Sequence, residues 1–346
     1  MDMDALRGRV EAVLAEFLDR RAEEAAQCGY PVEAAEVLRG LLFAGGKRIR
    51  PALCALGWAC EGRTSVPAPV VRVGAALEMF HTFALIHDDV MDGSSTRRGR
   101  PTAHRVLAAR HAGHADADRL GTSAAVLVGD VALVWSEQLV RTAGLTAAQL
   151  AGVFPVLDVM RTELMYGQYL DLLATGEPTE DVAHALKIAR FKTAKYSVER
   201  PLHLGAELAE AGPGLPAALS SFALPAGEAF QLRDDLLGVF GDPVVTGKPA
   251  AEDLRDAKHT VLVALALRAD NGRYGIRSLL CDRERGTGRI AALRSALEAC
   301  GARAAVEDMI ADRCRQALDA LEHPLIDPAA AATLGALTRS LCSRTA

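Results

Sequence analysis

The chain has 346 residues, of which 50% are hydrophobic and 24% are charged, a composition typical of a globular protein with a sizeable core. The net charge of −5 at pH 7 gives no global reason to expect nucleic-acid binding. Aromatic residues make up only 5%, and the abundance of Ala, Leu, Arg and Glu favours α-helices.

The chain begins with a charged, amphipathic segment, residues 1–26, which lacks the apolar core of a secretory signal. The most apolar stretch, residues 124–135, contains Asp130 and is too short to span a bilayer. We therefore expect a cytoplasmic protein without a membrane span. The seven cysteines show no CxxC spacing, so we expect free thiols.

Apolar residues recur at three- and four-residue spacing in the long segments, which predicts helices. In chain order, examples are VEAVLAEFL, VVRVGAALEMFHTFALI, LAGVFPVLDVMRTELMYGQYLDLL and IAALRSALEACG. Turn-forming segments such as EGRTSVPAP and GDPVVTGKPA separate them. No change of composition marks a linker, so the pattern predicts an all-α protein, one large helical bundle over residues 1–346.

Two acidic pairs end apolar helical segments. Asp88, Asp89 and Asp92 follow LEMFHTFALIH, and Asp88 and Asp92 share one helix face because they are four residues apart. Asp234 and Asp235 form the second pair. Like charges held together in this way repel each other, whereas a hard cation bound between them is stabilised by carboxylate oxygens. His87 alone adjoins the first pair and no Cys adjoins either, which falls short of the His and Cys ligands of a typical zinc site, so Mg²⁺ bridging to a phosphorylated substrate is indicated.

Basic residues flank both acidic pairs. The segment GGKRIRP contains Lys47 and Arg50, and SSTRRGRP contains Arg97 and Arg98. Lys192, Lys248 and Lys258 add cations elsewhere. Arg matches phosphate oxygens with a fork of donors, so metal on one side and cations on the other indicate a diphosphate site. The GGKRIRP segment is not a P-loop, because GxxxxGK[ST] is absent.

The motifs GGKRIRP, HDDVMDGSSTRRGRPT, GDVAL, GQYLDL, KTAKY, FQLRDDLLG and GKPAAEDLRDAKHT occur in this order over about residues 38–260. This ordered set resembles the trans-isoprenyl diphosphate (polyprenyl) synthases, most closely the geranylgeranyl diphosphate synthases. The resemblance implies an all-α bundle around a deep central cavity, usually a homodimer. It also implies condensation of isopentenyl diphosphate with allylic diphosphates, through Mg²⁺-assisted ionisation of the allylic diphosphate.

The resemblance also implies roles for individual residues. Three Mg²⁺ ions would be held by Asp88 and Asp92 together and by Asp234, with Asp89 and Asp235 supporting them. The allylic diphosphate would be contacted by Arg97, Lys192 and Lys248, with Lys258 as a further cation. Isopentenyl diphosphate would be bound by Lys47, Arg50, His81 and Arg98. Thr193 and Gln231 would lie beside the reacting carbons.

The second acidic motif departs from the family pattern, because Gly238 stands where many members have a third Asp. In the family pattern the first Asp of this motif carries the metal, so we expect activity to survive. Ala250 and Ala251 follow GKP where a glycine is usual.

Product length in this family depends on the depth of the cavity below the first motif. Helix geometry puts Phe80 and Ala84 on one stripe with Asp88, whereas the family points to Phe83 as the floor. One aromatic at that position, a small Ala84 and no insertion within DDVMD resemble the pattern for geranylgeranyl diphosphate, C20. Farnesyl diphosphate, C15, is the alternative product.

Two other readings stay open. A class I terpene cyclase shares the ionisation chemistry, but its usual NDxxSxxxE second motif is absent. A non-catalytic regulatory subunit would be expected to lose metal or diphosphate residues, and these are retained here. The sequence leaves undecided the allylic starter, the pathway served and the role of the segment after Thr260.

Overall fold

The computed structural model describes residues 1–241, 252–255, 257–281 and 287–342. The first helices are α1 (Met3–Cys28), α2 (Glu33–Leu42), α3 (Ile49–Ala59), α4 (Ala68–Met91), α5 (Ala103–Arg110), α6 (Ala117–Arg141), α7 (Ala147–Ala174) and α8 (Val182–Ala189). A π-helix (Arg190–Glu199) leads into α9 (Arg200–Leu208) and α10 (Gly214–Phe240). The last helices are α11 (Glu252–Arg255), α12 (Val261–Ala269), α13 (Ile276–Cys281), α14 (Thr287–Ala299), α15 (Ala302–Ala320) and α16 (Pro328–Cys342). The prediction of an all-α protein is confirmed.

The described residues contain one small antiparallel ribbon, β1 (Thr96–Arg97) and β2 (Arg100–Pro101). The chain divides into two compact units. Unit 1 comprises Met1–Val153 and Leu204–Glu210, and unit 2 comprises Phe154–His203 and Ala211–Ala346. The prediction of a single domain over residues 1–346 stays a prediction.

Helix α4 is the centre of unit 1 and packs against α3 and α6. Its side chains are buried on almost every side, from Val70 to Asp89, because its sequence is apolar around the whole circumference. Both α4 and α6 are long and apolar enough to cross a membrane by length and composition, and 72% of the relevant window of α4 is buried inside the protein.

Glycines allow the helices of unit 1 to approach closely. A Cβ at Gly205 would lie 2.0 Å from the carbonyl oxygen of Cys54 on α3, and a Cβ at Gly121 would lie 2.5 Å from the carbonyl oxygen of His104 on α5. Both distances are far below van der Waals contact. These two positions therefore exclude every residue with a side chain unless a helix backbone moves.

Unit 2 is built around α10, which packs against α15 and the π-helix. Its core includes Leu232, Leu236, Leu293 and Val306. Within this core Glu228 of α10 accepts hydrogen bonds from Arg190 and Arg313, each at 2.7 Å. The buried carboxylate is therefore paired twice, as a buried charge requires.

The cysteine prediction was wrong for two of the seven residues. Cys314 of α15 and Cys342 of α16, which are 28 positions apart in sequence, form a disulfide bond. The two thiols meet because α15 and α16 pack against each other, a contact that cysteine spacing cannot reveal. Cys28, Cys54, Cys60, Cys281 and Cys300 form no disulfide bond with the described residues.

Candidate active site

The first acidic motif lies at the C-terminal end of α4 in unit 1. The helix ends at Met91, and Asp92 caps it with a backbone hydrogen bond to the carbonyl of Asp88 at 2.8 Å. This extra turn keeps the carboxylates of Asp88 and Asp92 on one face. Asp89 points elsewhere and is only 1% exposed.

Arg97 of β1 joins the two aspartates that begin the motif. Its Nε donates to Asp89 at 2.7 Å, and its Nη2 donates to Asp88 at 3.0 Å. Burial acts to lower the pKa of Arg97, but the hydrogen bond and charge of Asp89 outweigh it, and the pKa lies above its ordinary value. Asp89 therefore holds the guanidinium group that the family resemblance predicts to contact the allylic diphosphate.

Arg98 turns the other way from Arg97 and reaches the glycine loop before α3. Its φ of 52° places it in the left-handed region, and Nη1 donates to the carbonyl of Gly45. A Cβ at Gly46 would lie 2.9 Å from the same nitrogen. The glycines of GGKRIRP are therefore needed because a guanidinium group lies against their backbone.

Arg48, which the sequence analysis did not single out, is a structural residue of this loop. It is 6% exposed, and it donates to Glu78 at 3.0 Å and to Glu11 at 3.2 Å. Its φ of 49° lies in the left-handed region, so the backbone turns at Arg48 just before α3 begins at Ile49. A basic run in a sequence gives no sign of which members are held by buried carboxylates.

His81 of α4 lies within a concentration of positive charge. Burial lowers the pKa of His81 well below its ordinary value. Four guanidinium groups lower this pKa further, those of Arg50, Arg98, Arg97 and Arg48. Burial and the other three arginines also lower the pKa of Arg98. The guanidinium groups around the neutral imidazole repel one another. Binding of an anion among them would offset this repulsion and would therefore be favourable.

Phe80 and Phe83 lie one to two turns before Asp88 on the same helix. Both are buried, their ring centroids are 5.3 Å apart, and Phe83 meets the ring of His87 edge-on at 4.7 Å. His87 in turn lies so close to α6 that a Cβ at Gly129 would be 2.3 Å from its ring. The glycine of the GDVAL motif thus permits the packing behind Phe83. Ala84 is partly exposed.

In unit 2 the KTAKY motif forms part of the π-helix, which carries Lys192 and Thr193. Two glycines allow neighbouring helices to press against it. A Cβ at Gly167 of α7 would lie 2.6 Å from the backbone nitrogen of Lys192, and one at Gly227 of α10 would lie 2.5 Å from the Cα of Ala194. π-Helices are rare and often mark functional segments.

Asp171 is a residue that the sequence analysis quoted within GQYLDL but did not assign to the site. It is 9% exposed and accepts a hydrogen bond from Nζ of Lys192 at 2.7 Å. No spacing in the sequence links Asp171 to Lys192, because their contact depends on the packing of α7 against the π-helix. The ammonium group of Lys192 is therefore positioned by a buried carboxylate.

Thr193, Gln231 and Asp235 form a chain of hydrogen bonds. The Thr193 hydroxyl donates to Oε1 of Gln231, whose Nε2 donates to Asp235 at 2.6 Å. The structure thus brings Thr193 and Gln231 together. Asp234 and Lys258 also belong to unit 2. Lys248 lies outside the described residues.

Glu163 of α7 forms hydrogen bonds at the C-terminal end of the π-helix. It accepts from Lys195 at 2.5 Å and from Arg200 at 2.8 Å. Burial acts to raise the pKa of Glu163, but hydrogen bonds from Arg200 and Lys195 outweigh it, and the pKa lies below its ordinary value. The segment that carries Lys192 and Thr193 is therefore held at both ends by carboxylates of α7.

The acidic motif of unit 1 fits a hard divalent cation by its donors. Asp88 and Asp92 offer oxygen atoms on one helix face, which are the ligands that Mg²⁺ prefers. Among the described residues no group of three or more His, Cys, Asp or Glu side chains is arranged to hold a metal ion. A bound Mg²⁺ would therefore take its other oxygens from water or from a phosphorylated ligand.

Comparison with known proteins identifies the family. A family model described as polyprenyl synthetase matches residues 32–297. The chain belongs to the polyprenyl synthetase family. The resemblance inferred from the motifs is confirmed, and the predicted enzyme class, a trans-prenyltransferase, is confirmed at the level of this family.

Several relatives of this polyprenyl synthetase are similar over its motif-bearing part. It is 37% identical to a geranylfarnesyl diphosphate synthase of Aeropyrum pernix over 66% of the chain and 68% of the relative. It is 38% identical to a geranylgeranyl diphosphate synthase of Mycobacterium tuberculosis, over 65% of the chain and 59% of the relative.

One solved structure is similar over the whole chain. It is the geranylgeranyl pyrophosphate synthase of Corynebacterium glutamicum, complexed with isoprenyl diphosphate and magnesium. The TM-score is 0.94 at 38% identity, and each chain is covered completely. The roles of individual site residues stay predictions.

Replacing His81 with Gln tests the charge cluster through the pH dependence of stability. Because the folded pKa of His81 is lowered, the unfolded chain takes up a proton first, and stability present above about pH 6.5 is lost as the pH falls below it. In His81→Gln this loss should be shallower than in the wild type by up to about 1.4 kcal/mol per pH unit. Urea unfolding between pH 4 and 8 measures the difference, and identical slopes would contradict the assignment.

Replacing Asp171 with Asn tests the positioning of Lys192. The neutral amide no longer attracts the ammonium group, so kcat/KM for prenyl transfer should fall by about 10- to 100-fold. Asp158→Asn is the matched control on α7, because the Asp158 side chain is 72% exposed and its ion pair with Arg161 is long, at 3.9 Å. Equal activity of the two variants would rule out this role for Asp171.

Proposed function

We propose that this polyprenyl synthetase extends allylic diphosphates by head-to-tail condensation with isopentenyl diphosphate, and that its main product is geranylgeranyl diphosphate. The observation that carries the proposal is the cluster of guanidinium groups around a neutral His81, beside the paired carboxylates of Asp88 and Asp92. A site with this much positive charge next to metal-binding carboxylates suits a substrate with a diphosphate group.

Divalent metal ions complete the proposed site. Asp88 and Asp92 in unit 1 and Asp234 in unit 2 would hold Mg²⁺, three ions in all. Bound Mg²⁺ would neutralise the charge that develops on departing pyrophosphate. The magnesium and isoprenyl diphosphate in the related Corynebacterium structure support this use of metal.

The residues of unit 1 would bind both diphosphates. Lys47, Arg50, His81 and Arg98 would hold the diphosphate of isopentenyl diphosphate. Arg97 would contact the leaving diphosphate, and its hydrogen bond to Asp89 fixes its guanidinium group beforehand. Preorganised donors of this kind stabilise a transition state without the cost of reorienting them during the reaction.

The residues of unit 2 would act on the leaving group and on the cation. Lys192, oriented by Asp171, would donate to the allylic diphosphate, as would Lys248 and Lys258. The Thr193 hydroxyl donates its hydrogen bond to Gln231, so its oxygen lone pairs remain to face a ligand. This polarity suits an allylic carbocation, which the double bond of isopentenyl diphosphate then attacks before a proton is lost to pyrophosphate.

The product length follows from the residues below the first motif. Phe80 and Phe83 contact each other and are buried, whereas Ala84 is small and partly exposed. This arrangement supports a cavity that admits several isoprene units before an aromatic ring stops it. The geranylgeranyl diphosphate synthases among the relatives support C20, and the geranylfarnesyl diphosphate synthase marks the next longer product.

The reaction is tested by incubating the full chain with Mg²⁺, isopentenyl diphosphate and, separately, C5, C10 and C15 allylic diphosphates. Mass spectrometry should find a C20 diphosphate. Asp88→Asn should lower turnover by more than about a hundredfold because a metal ligand is lost. Asp118→Asn, an exposed aspartate that pairs with Arg105, is the control and should be fully active.

Three other outcomes of the incubation would contradict part of the proposal. A C15 end point would keep the reaction and overturn the product length. Release of a hydrocarbon would indicate a terpene cyclase. No elongation by folded protein would overturn the reaction and favour a regulatory subunit.

The floor of the cavity is tested by Phe83→Ala and the milder Phe83→Leu. A smaller side chain should let the prenyl chain grow past C20, with Ala giving longer products than Leu. Phe17→Ala is the control, because Phe17 is buried against Trp135 in the same unit and far from the motif in sequence. Unchanged products from both Phe83 variants would exclude this residue as the floor.

We also propose that the enzyme is a cytoplasmic homodimer. Support comes from α6, where Leu127 and Val134 are 65% and 64% exposed and lie seven residues apart on one face. Exposed apolar residues grouped in this way are typical of an interface. The partner would be a second copy of the chain.

A charge on this face should separate the subunits. Leu127→Glu should convert the dimer to a monomer in analytical ultracentrifugation, because the carboxylate would be desolvated at the interface. Thr122→Glu places the same charge on the other side of α6 and should leave the mass unchanged. A wild-type monomer would contradict the proposal directly.

A further inference from the structure

The disulfide bond between Cys314 and Cys342 has no part in the proposed reaction. Cys342 is the last residue of α16 and is buried, and Cys314 lies on α15, where it is partly buried. Both helices pack against α10, which carries Asp234 and Asp235. The disulfide therefore joins two helices that support the second acidic motif.

The hydrophobic core behind this motif includes the disulfide. Leu236 and Val239, which follow the acidic pair on α10, belong to the same buried cluster as Cys342. Cys314 packs against this cluster, as does Phe240 at the end of α10. In a close-packed core a shift of one member is felt by its neighbours. The last turns of α10 are therefore positioned by side chains that the disulfide holds together.

Arg233 connects the end of α16 to α10 by hydrogen bonds. Its Nε donates to the backbone carbonyl of Cys342 at 2.9 Å, and its Nη1 and Nη2 donate to the carboxylate of Glu307 on α15 at 2.8 and 2.5 Å. The last carbonyl groups of an α-helix have no partner within the helix, and a positive charge near them is favourable. Arg233 therefore caps α16, and it immediately precedes Asp234 in the chain.

The disulfide opposes opening of the last turn of α16. Helix ends fray, so without the bond to Cys314 the carbonyl of Cys342 would leave Arg233 more often. The guanidinium group is a rigid fork, and loss of one acceptor lets it reorient around Glu307. A metal site binds tightly only when its ligands stay within about 0.5 Å of the productive geometry. Movement of Arg233 should therefore weaken metal binding at Asp234.

We propose that this disulfide is a redox switch that controls Mg²⁺ binding at Asp234. When it is oxidised, it holds the carbonyl of Cys342 on Arg233, and the acidic motif is fixed for the metal. When it is reduced, the end of α16 opens and Mg²⁺ binding weakens. In the reducing cytoplasm proposed for this protein, disulfides are typically transient and redox-sensing. The proposal rests on the proposed function, which assigns Mg²⁺ to Asp234.

The redox step is an exchange between this disulfide and a dithiol. A thiolate of the dithiol attacks one sulfur, the S–S bond breaks, and a mixed disulfide forms. The second thiol of the dithiol then closes its own disulfide and releases the remaining cysteine. Two electrons and two protons are transferred, so Cys314 and Cys342 both end as thiols. Cys314 is the less buried of the two and is the more accessible residue for this attack.

The test compares the full chain equilibrated with oxidised or with reduced dithiothreitol, and mass spectrometry after alkylation checks the state of the disulfide. The Mg²⁺ concentration for half-maximal prenyl transfer should be at least about fivefold higher in the reduced protein, the lower end of typical coupling between two sites. At saturating Mg²⁺ the two values of kcat should agree within about twofold, because excess metal fills a weakened site.

Two variants should remove the redox response. Cys314→Ala abolishes the disulfide and leaves the backbone of Cys342 intact, so it should need the Mg²⁺ concentration of the reduced protein in both buffers. Arg233→Gln should also respond equally in both buffers, although its disulfide still forms, because the link from Cys342 to the acidic motif is broken.

Each variant has a matched control that should keep the full response. Cys300→Ala is the control for Cys314, since Cys300 packs against the same core and forms no disulfide bond with the described residues. Arg315→Gln is the control for Arg233, because Arg315 lies on α15 and pairs with Asp312 at the surface. An equal Mg²⁺ requirement in the two states of the wild type would overturn the proposal, as would a full response in Cys314→Ala or Arg233→Gln.

Hydrogen–deuterium exchange without Mg²⁺ or substrate separates this proposal from the proposed function. Reduction should increase exchange in α16 and in residues 230–240 of the wild type and of Cys300→Ala, and should leave α4 unchanged. If exchange responds in this way but no starter is elongated, the coupling stands and the reaction fails. If the chain elongates but neither exchange nor the Mg²⁺ requirement depends on the disulfide, the reaction stands and the switch fails. A thermal melt checks that Cys314→Ala is folded, and the two states of the wild type decide if it is not.

Discussion

The repulsion between like charges in unit 1 is the constraint on which the rest of the site depends. Four guanidinium groups lie close enough to His81 to lower its pKa, and the pKa of Arg98 is lowered by its own neighbours. A folded protein tolerates such crowding only if surrounding contacts hold the groups in place. Binding of a polyanion would relieve this electrostatic repulsion. The unfavourable energy of the crowded cations in the free protein would therefore add to the free energy of binding.

Carboxylates divide the arginines of unit 1 into two kinds. Arg48 is held by Glu78 and Glu11, and Arg97 by Asp88 and Asp89, so these side chains have little freedom left. Arg98 has only a carbonyl group as its hydrogen-bond partner among the contacts of the glycine loop. Arginine is therefore a scaffold residue at Arg48, whereas Arg97 and Arg98 are the ones proposed to bind diphosphate, Arg97 with its guanidinium group fixed beforehand by carboxylates and Arg98 without an ion pair of that kind.

The fold class and the motifs could be predicted because they depend on local patterns. Periodic apolar residues revealed the helices, and the pairs at Asp88 and Asp234 stood out because acidic residues are unusual at the ends of apolar helices. The partners of these residues could not be predicted, because they depend on packing. Asp171 faces Lys192 and Cys314 meets Cys342 only through contacts between helices, and no spacing in the sequence encodes either pair.

The π-helix at Arg190–Glu199 has a consequence for the evolution of the family. The hydrogen bonds of a π-helix join residues i and i+5, so each closed turn contains one more residue than a turn of α-helix. A π-helix within a run of α-helices can therefore be described as an α-helix with an inserted residue. Removing one residue would restore α-helical winding and rotate the flanking faces by about 100° relative to each other. Lys192 and Thr193 would then no longer face Asp171 and Gln231 together. Selection should therefore conserve the length of this segment as strictly as its residue types. A homologue with a one-residue deletion there should have a different arrangement of these side chains and a changed activity.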